Sequence, residues 1–151
     1  MPIHDHPNMS VFFRLVFGKL KYIGYDKVED KYKYNDFADD EYHELLETKR
    51  TVLAKRTKLM NVEKDQLLYV RPSFNNMHTF VAEENSAFFD ICLPNYTPIK
   101  HTRRITYFKE KETTEEARLR AGLTELTYDT TPPVMPLGFS VKDIPYKGYY
   151  A

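Results

Sequence analysis

Five histidines are the side chains best suited to chemistry in this sequence: His4, His6, His43, His78 and His101. His4 and His6 are two apart, in Ile3-His4-Asp5-His6. In an extended strand that spacing sends both imidazoles to one face, alternating with Asp5. Two imidazoles on one face can take adjacent positions around a metal. A third from a distant strand would complete a facial set and leave positions for substrate and oxygen. His78 is the best third candidate, because it follows an Asn75-Asn76 turn and sits in the alternating stretch Met77-His78-Thr79-Phe80-Val81. His43 lies in a charged segment and His101 in a polar loop with Lys100, Arg103 and Arg104, so both read as solvated. Taken alone, H-x-H also fits two solvent-facing histidines near a terminus.

The elements that must position these residues are β-rich. The chain has 151 residues, and its 22 Lys+Arg balance 22 Asp+Glu. That length fits a single domain, 1–151, which can bury a core without disulfides or a structural metal. Zero net charge argues against broad electrostatic binding to nucleic acid or to an anionic membrane. No apolar run approaches the roughly 20 residues that span a bilayer. The N-terminus lacks the basic and apolar regions of a signal peptide. Cys92 is the only cysteine. It excludes an intrachain disulfide and fits a reducing setting, so the expected location is the cytoplasm, with the nucleus also open to the protein.

Tyr (12) and Phe (10) are plentiful, and such residues favour half-buried strands. Ser10 to Tyr25 reads as two strands joined near Gly18-Lys19. Val11 to Phe17 is apolar on both parities except at Arg14. Strands are expected over 51–62, 66–70, 77–82, 86–93 and 104–109, with a turn at Ser73-Phe74-Asn75-Asn76. Segments 26–41 and 94–103 read as loops. Short helices are expected at 41–47 and from Thr113/Thr114 to Arg120, ended by Gly122. The tail from Thr130 is proline-rich and reads as irregular. Many short strands separated by turns suggest a barrel or sandwich.

The motifs around the histidines narrow this. Ile3-His4-Asp5-His6-Pro7-x-Met9-x-Val11-Phe12, then Leu15-x-Phe17-Gly18, resembles the first metal-binding motif of the cupin-superfamily thiol dioxygenases. The group is the one containing plant cysteine oxidases and animal cysteamine (2-aminoethanethiol) dioxygenase. Asn76-Met77-His78-Thr79-Phe80 is similar to that family's G-N-[LI]-H-x-F. Phe89-Asp90-Ile91-Cys92-Leu93-Pro94-Asn95-Tyr96 is similar to its L-D-[VI]-L-x-P-P-Y. Arg103-Arg104-Ile105-Thr106-Tyr107-Phe108 is similar to its R-x-C-x-Y-Y, and Pro145-Tyr146-Lys147-Gly148 to a Pro-Tyr-x-Gly near its C-terminus.

The resemblance implies an all-β, cupin-type double-stranded β-helix (a jelly-roll barrel) with one or two short helices. It implies that His4, His6 and His78 hold a mononuclear Fe(II), with no organic cofactor. Asp90 then matches a carboxylate facing the site, able to accept from a substrate ammonium or to orient a ligand imidazole. Tyr96 matches a nearby tyrosine able to donate its O–H to bound oxygen or to the sulfur. The implied reaction adds both atoms of O2 to a thiol, cysteamine or the N-terminal cysteine of a protein, giving a sulfinic acid. The partners are that thiol and O2; a monomer is expected, with neither nucleic acid nor membrane.

The pattern departs from the family in three places. Family members carry strands upstream of the first motif, whereas three residues precede His4 here. Either those strands are lacking or the barrel closes differently, and a ligand pair at a fraying terminus would be held loosely. Asn75-Asn76 replaces favoured glycines; Asn tolerates the left-handed conformation. Ile105 stands where the family often has Cys, which excludes a Cys–Tyr cross-link to Tyr107. Cys92 reads as a small buried hydrophobe. Two other readings stand beside the dioxygenase: a non-catalytic cupin (pseudoenzyme or peptide-binding module), and a cupin using Zn, Cu or Ni, which three imidazoles also suit.

Overall fold

The computed structural model describes residues 1–29, 51–96, 103, 105–111, 122–129, 137–138 and 140. Nine strands are found there: β1 (Ile3–Asp5), β2 (Ser10–Phe17), β3 (Leu20–Glu29), β4 (Thr51–Val62), β5 (Leu67–Val70), β6 (Met77–Ala82), β7 (Ala87–Leu93), β8 (Tyr107–Glu110) and β9 (Leu123–Tyr128). None of the described residues is helical. The helices expected at 41–47 and 113–120 fall outside the described residues, as do His43, His101 and Pro145-Tyr146-Lys147-Gly148.

Six strands close an antiparallel barrel in the order β1-β6-β3-β4-β9-β8, and a separate sheet runs β5-β2-β7. The architecture is the all-β, cupin-like one expected. Closure answers the concern about the first strand. β1 pairs with β6 on one side and β8 on the other, so both of its edges are hydrogen-bonded. Thr79 Oγ1 also donates to the Met1 carbonyl. The loosely held ligand strand is therefore not what the chain forms.

Strand parity explains the packing. Along β2, Val11, Phe13 and Leu15 are buried and point inward. They pair across the ladder with Cys92, Asp90 and Phe88 of β7, which therefore share that inner face. The inner face packs on Leu20 and Tyr22 of β3, Val62 of β4 and Phe80 of β6. Phe13 stacks on Phe80 with ring centroids 4.3 Å apart. Each such side chain contributes about 1.5–3 kcal/mol by leaving water. A second cluster (Ile3, Tyr25, Val52, Ala54, Met77, Phe108, Leu126 and Tyr128) fills the other side of the barrel wall. The outer face of the small sheet also carries apolar side chains, Phe12, Tyr69, Phe89 and Ile91. That is why Val11–Phe17 reads as apolar on both parities.

Three element assignments need correction. Asp26–Glu29 belongs to β3, not to a loop, because Asp26 and Lys27 pair with Lys55 and Ala54 of β4. A register shift between Gly24 and Tyr25 breaks the alternation there and hides the strand. β8 starts at Tyr107, three residues later than expected. β9 was not anticipated: Thr124, Leu126 and Tyr128 alternate inward, but with a threonine among them the apolar signal is short.

Gly18 makes the β2–β3 turn at φ +92°, and a Cβ there would lie 2.5 Å from the Asn85 carbonyl oxygen and 2.6 Å from Ser86 Cα. Both are backbone atoms of the facing turn, and the conformation itself disfavours a side chain. Gly18→Ala is expected to cost more than about 1 kcal/mol in denaturant unfolding. An unchanged midpoint and slope would show that this turn relaxes freely.

Candidate metal centre

The three histidines come together through strand register. His4 of β1 is the direct cross-strand partner of His78 of β6, so their side chains share a face. The row continues on both sides: Gly24 of β3 partners His78, and Tyr107 of β8 partners His4. His6 lies two residues beyond His4 on the same face. The ring centroids of the three imidazoles are 4.7, 4.7 and 4.6 Å apart. A ligating nitrogen from each lies within 4.8 Å of the others. His4, His6 and His78 are 5%, 2% and 1% exposed.

Short turns at the ends of β1 and β6 fix this geometry. After His6 the chain reverses through Pro7-Asn8, and the Met9 N–H donates to the His6 carbonyl at 3.1 Å. Asn8 has φ 54°, so proline at the second turn position and a left-handed Asn at the third match a type II turn. Before His78, Arg71 and Phe74 exchange backbone hydrogen bonds of 3.1 and 3.2 Å. Asn75 then adopts φ 53°, the left-handed conformation expected of the Asn pair. Thr57 donates to its side-chain oxygen. The wall behind His78 is aromatic, with Tyr22 and Phe80 rings at 5.4 and 5.1 Å.

Hydrogen bonding prepares the rings to act as ligands. His4 Nδ1 lies 3.1 Å from the Pro2 carbonyl, and His6 Nδ1 lies 3.2 Å from the Asn76 carbonyl. A carbonyl only accepts, so each Nδ1 carries the proton and each Nε2 keeps its lone pair. His78 differs: both of its ring nitrogens are buried without a hydrogen-bond partner among the described residues. An orphaned buried imidazole beside two others whose Nε2 lone pairs are free is what a divalent cation would satisfy. Burial also keeps the rings neutral, as ligation requires. His4 and His6 are each lowered to about 4, and His78 lies well below its ordinary value. Desolvation is the largest cause in each case, and neighbouring imidazoles lower His6 and His78 further.

Asp90 sits on the inner face of β7 opposite Phe13. One carboxylate oxygen, Oδ1, is buried with no partner among the described residues. Desolvation raises this carboxyl to about 6. Tyr96 packs its ring 5.8 Å from that of His6, and its hydroxyl donates to the Asp5 carbonyl at 2.8 Å. Its proton therefore ties the Tyr96 ring to the backbone of β1. Burial is the largest cause of a strongly raised hydroxyl pKa, and Asp5, Cys92, Tyr107 and Asp90 add to it. Asp5 faces away from the triad; its Oδ1 accepts the Thr106 N–H at 2.8 Å. Cys92 is partly buried on the inner face, with its thiol raised by burial and by Asp90. Tyr107 and Asn76 also belong to this site. Tyr107 was visible only as part of a motif, and Asn76 only as a turn former.

A buried triad that could hold a metal thus sits in the wall of a closed, cupin-like barrel. The PCO_ADO family model matches residues 1–150, and the chain belongs to that family, the one of plant cysteine oxidases and cysteamine dioxygenase. Its members are iron-dependent thiol dioxygenases.

The depressed histidines set a sign for stability against pH. Between about 6.5 and 4 the unfolded chain takes up protons that His4 and His6 refuse in the metal-free fold, so stability falls as pH falls through that window. Asp90 works the other way. Its raised value adds stability below the unfolded 3.8, and that contribution is lost as pH rises through about 6. The imidazoles outnumber it. Metal-free protein is expected to lose on the order of 1 kcal/mol or more between pH 7 and 4.5, and His6→Gln to lose less. Denaturant curves at both pH values check this; equal losses in the two proteins would contradict it.

Proposed function

We propose that this chain is an Fe(II)-dependent thiol dioxygenase, with His4, His6 and His78 as the metal ligands. The observation that carries the reading is the buried triad, with neither His78 nitrogen partnered among the described residues, in a chain of this family. Bound iron would supply the site where a thiol ionises and O2 is activated. The overall reaction is R–SH + O2 → R–SO2H, with both oxygen atoms ending on sulfur. Three neutral imidazoles leave the charge of the cation uncompensated, which favours a thiolate beside it.

The chain's own residues then divide the remaining work. Asp90 offers a carboxylate oxygen, buried and without a partner among the described residues, to the ammonium that both cysteamine and an N-terminal cysteine carry beside the thiol. Pairing with that ammonium would return the carboxyl toward its ordinary range. Tyr96 holds the Asp5 carbonyl, and through it the segment between the first two ligands. Tyr22, Phe80 and Phe13 exclude water from the His78 side. The proposed substrate is the N-terminal cysteine of a peptide, with cysteamine as the smaller alternative. The described walls show no arginine arrangement of the kind that would bind the carboxylate of free cysteine.

Anaerobically loaded protein, exposed to air with a Cys-initiated peptide or with cysteamine, is expected to give a product heavier by two oxygen atoms. With 18O2 both labels appear in it. His78→Ala abolishes turnover. Asp90→Asn leaves metal content unchanged and raises KM at least tenfold for amine-bearing thiols, but not for a thiol lacking the amine. Full metal loading with no oxidised product from any of these thiols would favour the non-catalytic reading. Full turnover by His78→Ala would remove the ligand assignment.

A further inference from the structure

We propose that Asn76 is the positioning residue of the centre, acting through His6; this rests on the triad being a metal site. His6 lies one residue past the last ladder pair of β1, Asp5 with Met77. Strand pairing alone therefore does not hold it. Asn76 takes over that task. The His6 N–H donates to the Asn76 carbonyl at 3.1 Å and also faces Asn76 Oδ1 at 3.3 Å. Asn76 Nδ2 donates back to the His6 carbonyl at 2.6 Å. The amide orientation follows from this pair of contacts, since one end must accept and the other donate.

The consequence lies in the ring. The Asn76 carbonyl that accepts from the His6 backbone also accepts from His6 Nδ1 at 3.2 Å. One peptide oxygen thus fixes the ring's tautomer, while the Asn76 side chain fixes the peptide. At its far side Nδ2 also faces the Arg71 carbonyl at 3.5 Å, tying the clamp to the hairpin before β6. Two residues on, the same strand carries His78. Asn76 therefore sets the position of the second ligand relative to the third. Ala would remove all three side-chain contacts. Asp would keep the acceptor but lose the donor, and would set a carboxylate against the His6 carbonyl.

The test uses the full chain as wild type, Asn76→Ala and Asn76→Asp, with two readouts. Long-range 1H–15N spectra of the metal-free proteins report each ring's tautomer. Anaerobic Co(II) titration reports affinity. In wild type, His6 is expected as a single Nδ1–H tautomer. In both variants the His6 ring is expected to average between tautomers while His4, held by Pro2, stays unchanged. Co(II) affinity is expected to fall about 10–100-fold. An Nδ1–H tautomer at His6 in both variants, with affinity within twofold of wild type, would overturn the proposal. If wild type bound no Co(II), the metal reading would fail instead, and the tautomer comparison would still decide the role of Asn76.

Discussion

The structure turns on one pairing, His4 opposite His78 across the β1–β6 ladder. Antiparallel partners must share a face, so this register alone brings two imidazoles together in the interior. The third follows from a two-residue step along the chain, because alternate residues return to the same side. A slip of one residue in that ladder would send His78 to the opposite wall and dissolve the triad. Much of what surrounds the ladder keeps it from slipping: β8 on the free edge of β1, the Tyr96 hydroxyl on the Asp5 carbonyl, the Asn76 clamp and the two left-handed asparagines.

Burying three imidazoles is costly unless something satisfies them. Two of the rings are half satisfied by carbonyls, and His78 has no hydrogen-bond partner among the described residues. The aromatic wall of Tyr22 and Phe80 holds His78 in place but offers its nitrogens nothing. The fold thus carries a local destabilisation that apolar packing offsets, and a cation would relieve it. Asp90 repeats the pattern at smaller scale, with one carboxylate oxygen buried and without a partner among the described residues. Departures from polar satisfaction of this kind concentrate at functional sites more often than in cores built for stability.

Some of this was legible in the sequence for physical reasons. The H-x-H spacing defines a shared face in any strand, whatever the fold. The Asn75-Asn76 pair announced a turn, and β-branched and aromatic runs announced strands at 51–62 and 77–82. The register that pairs His4 with His78 was not legible from spacing, because it is set by contacts 74 residues apart in sequence; His78 was singled out by its turn and alternating strand, and the family motifs strengthened the grouping. The shift after Gly24 erased the alternation that would have marked Asp26–Glu29 as strand. Tyr96 was expected to donate to bound oxygen or sulfur. In the fold its proton goes to a backbone carbonyl, a contact that depends on where the loop after β7 lands.

The central claim is that His4, His6 and His78 together bind one metal ion. Iron-edge X-ray absorption on the anaerobically loaded protein tests it most directly. The account predicts three imidazole nitrogens around the iron, with one imidazole fewer in the His78→Ala protein. Two or fewer imidazoles in wild type, or the same shell in both proteins, would contradict it.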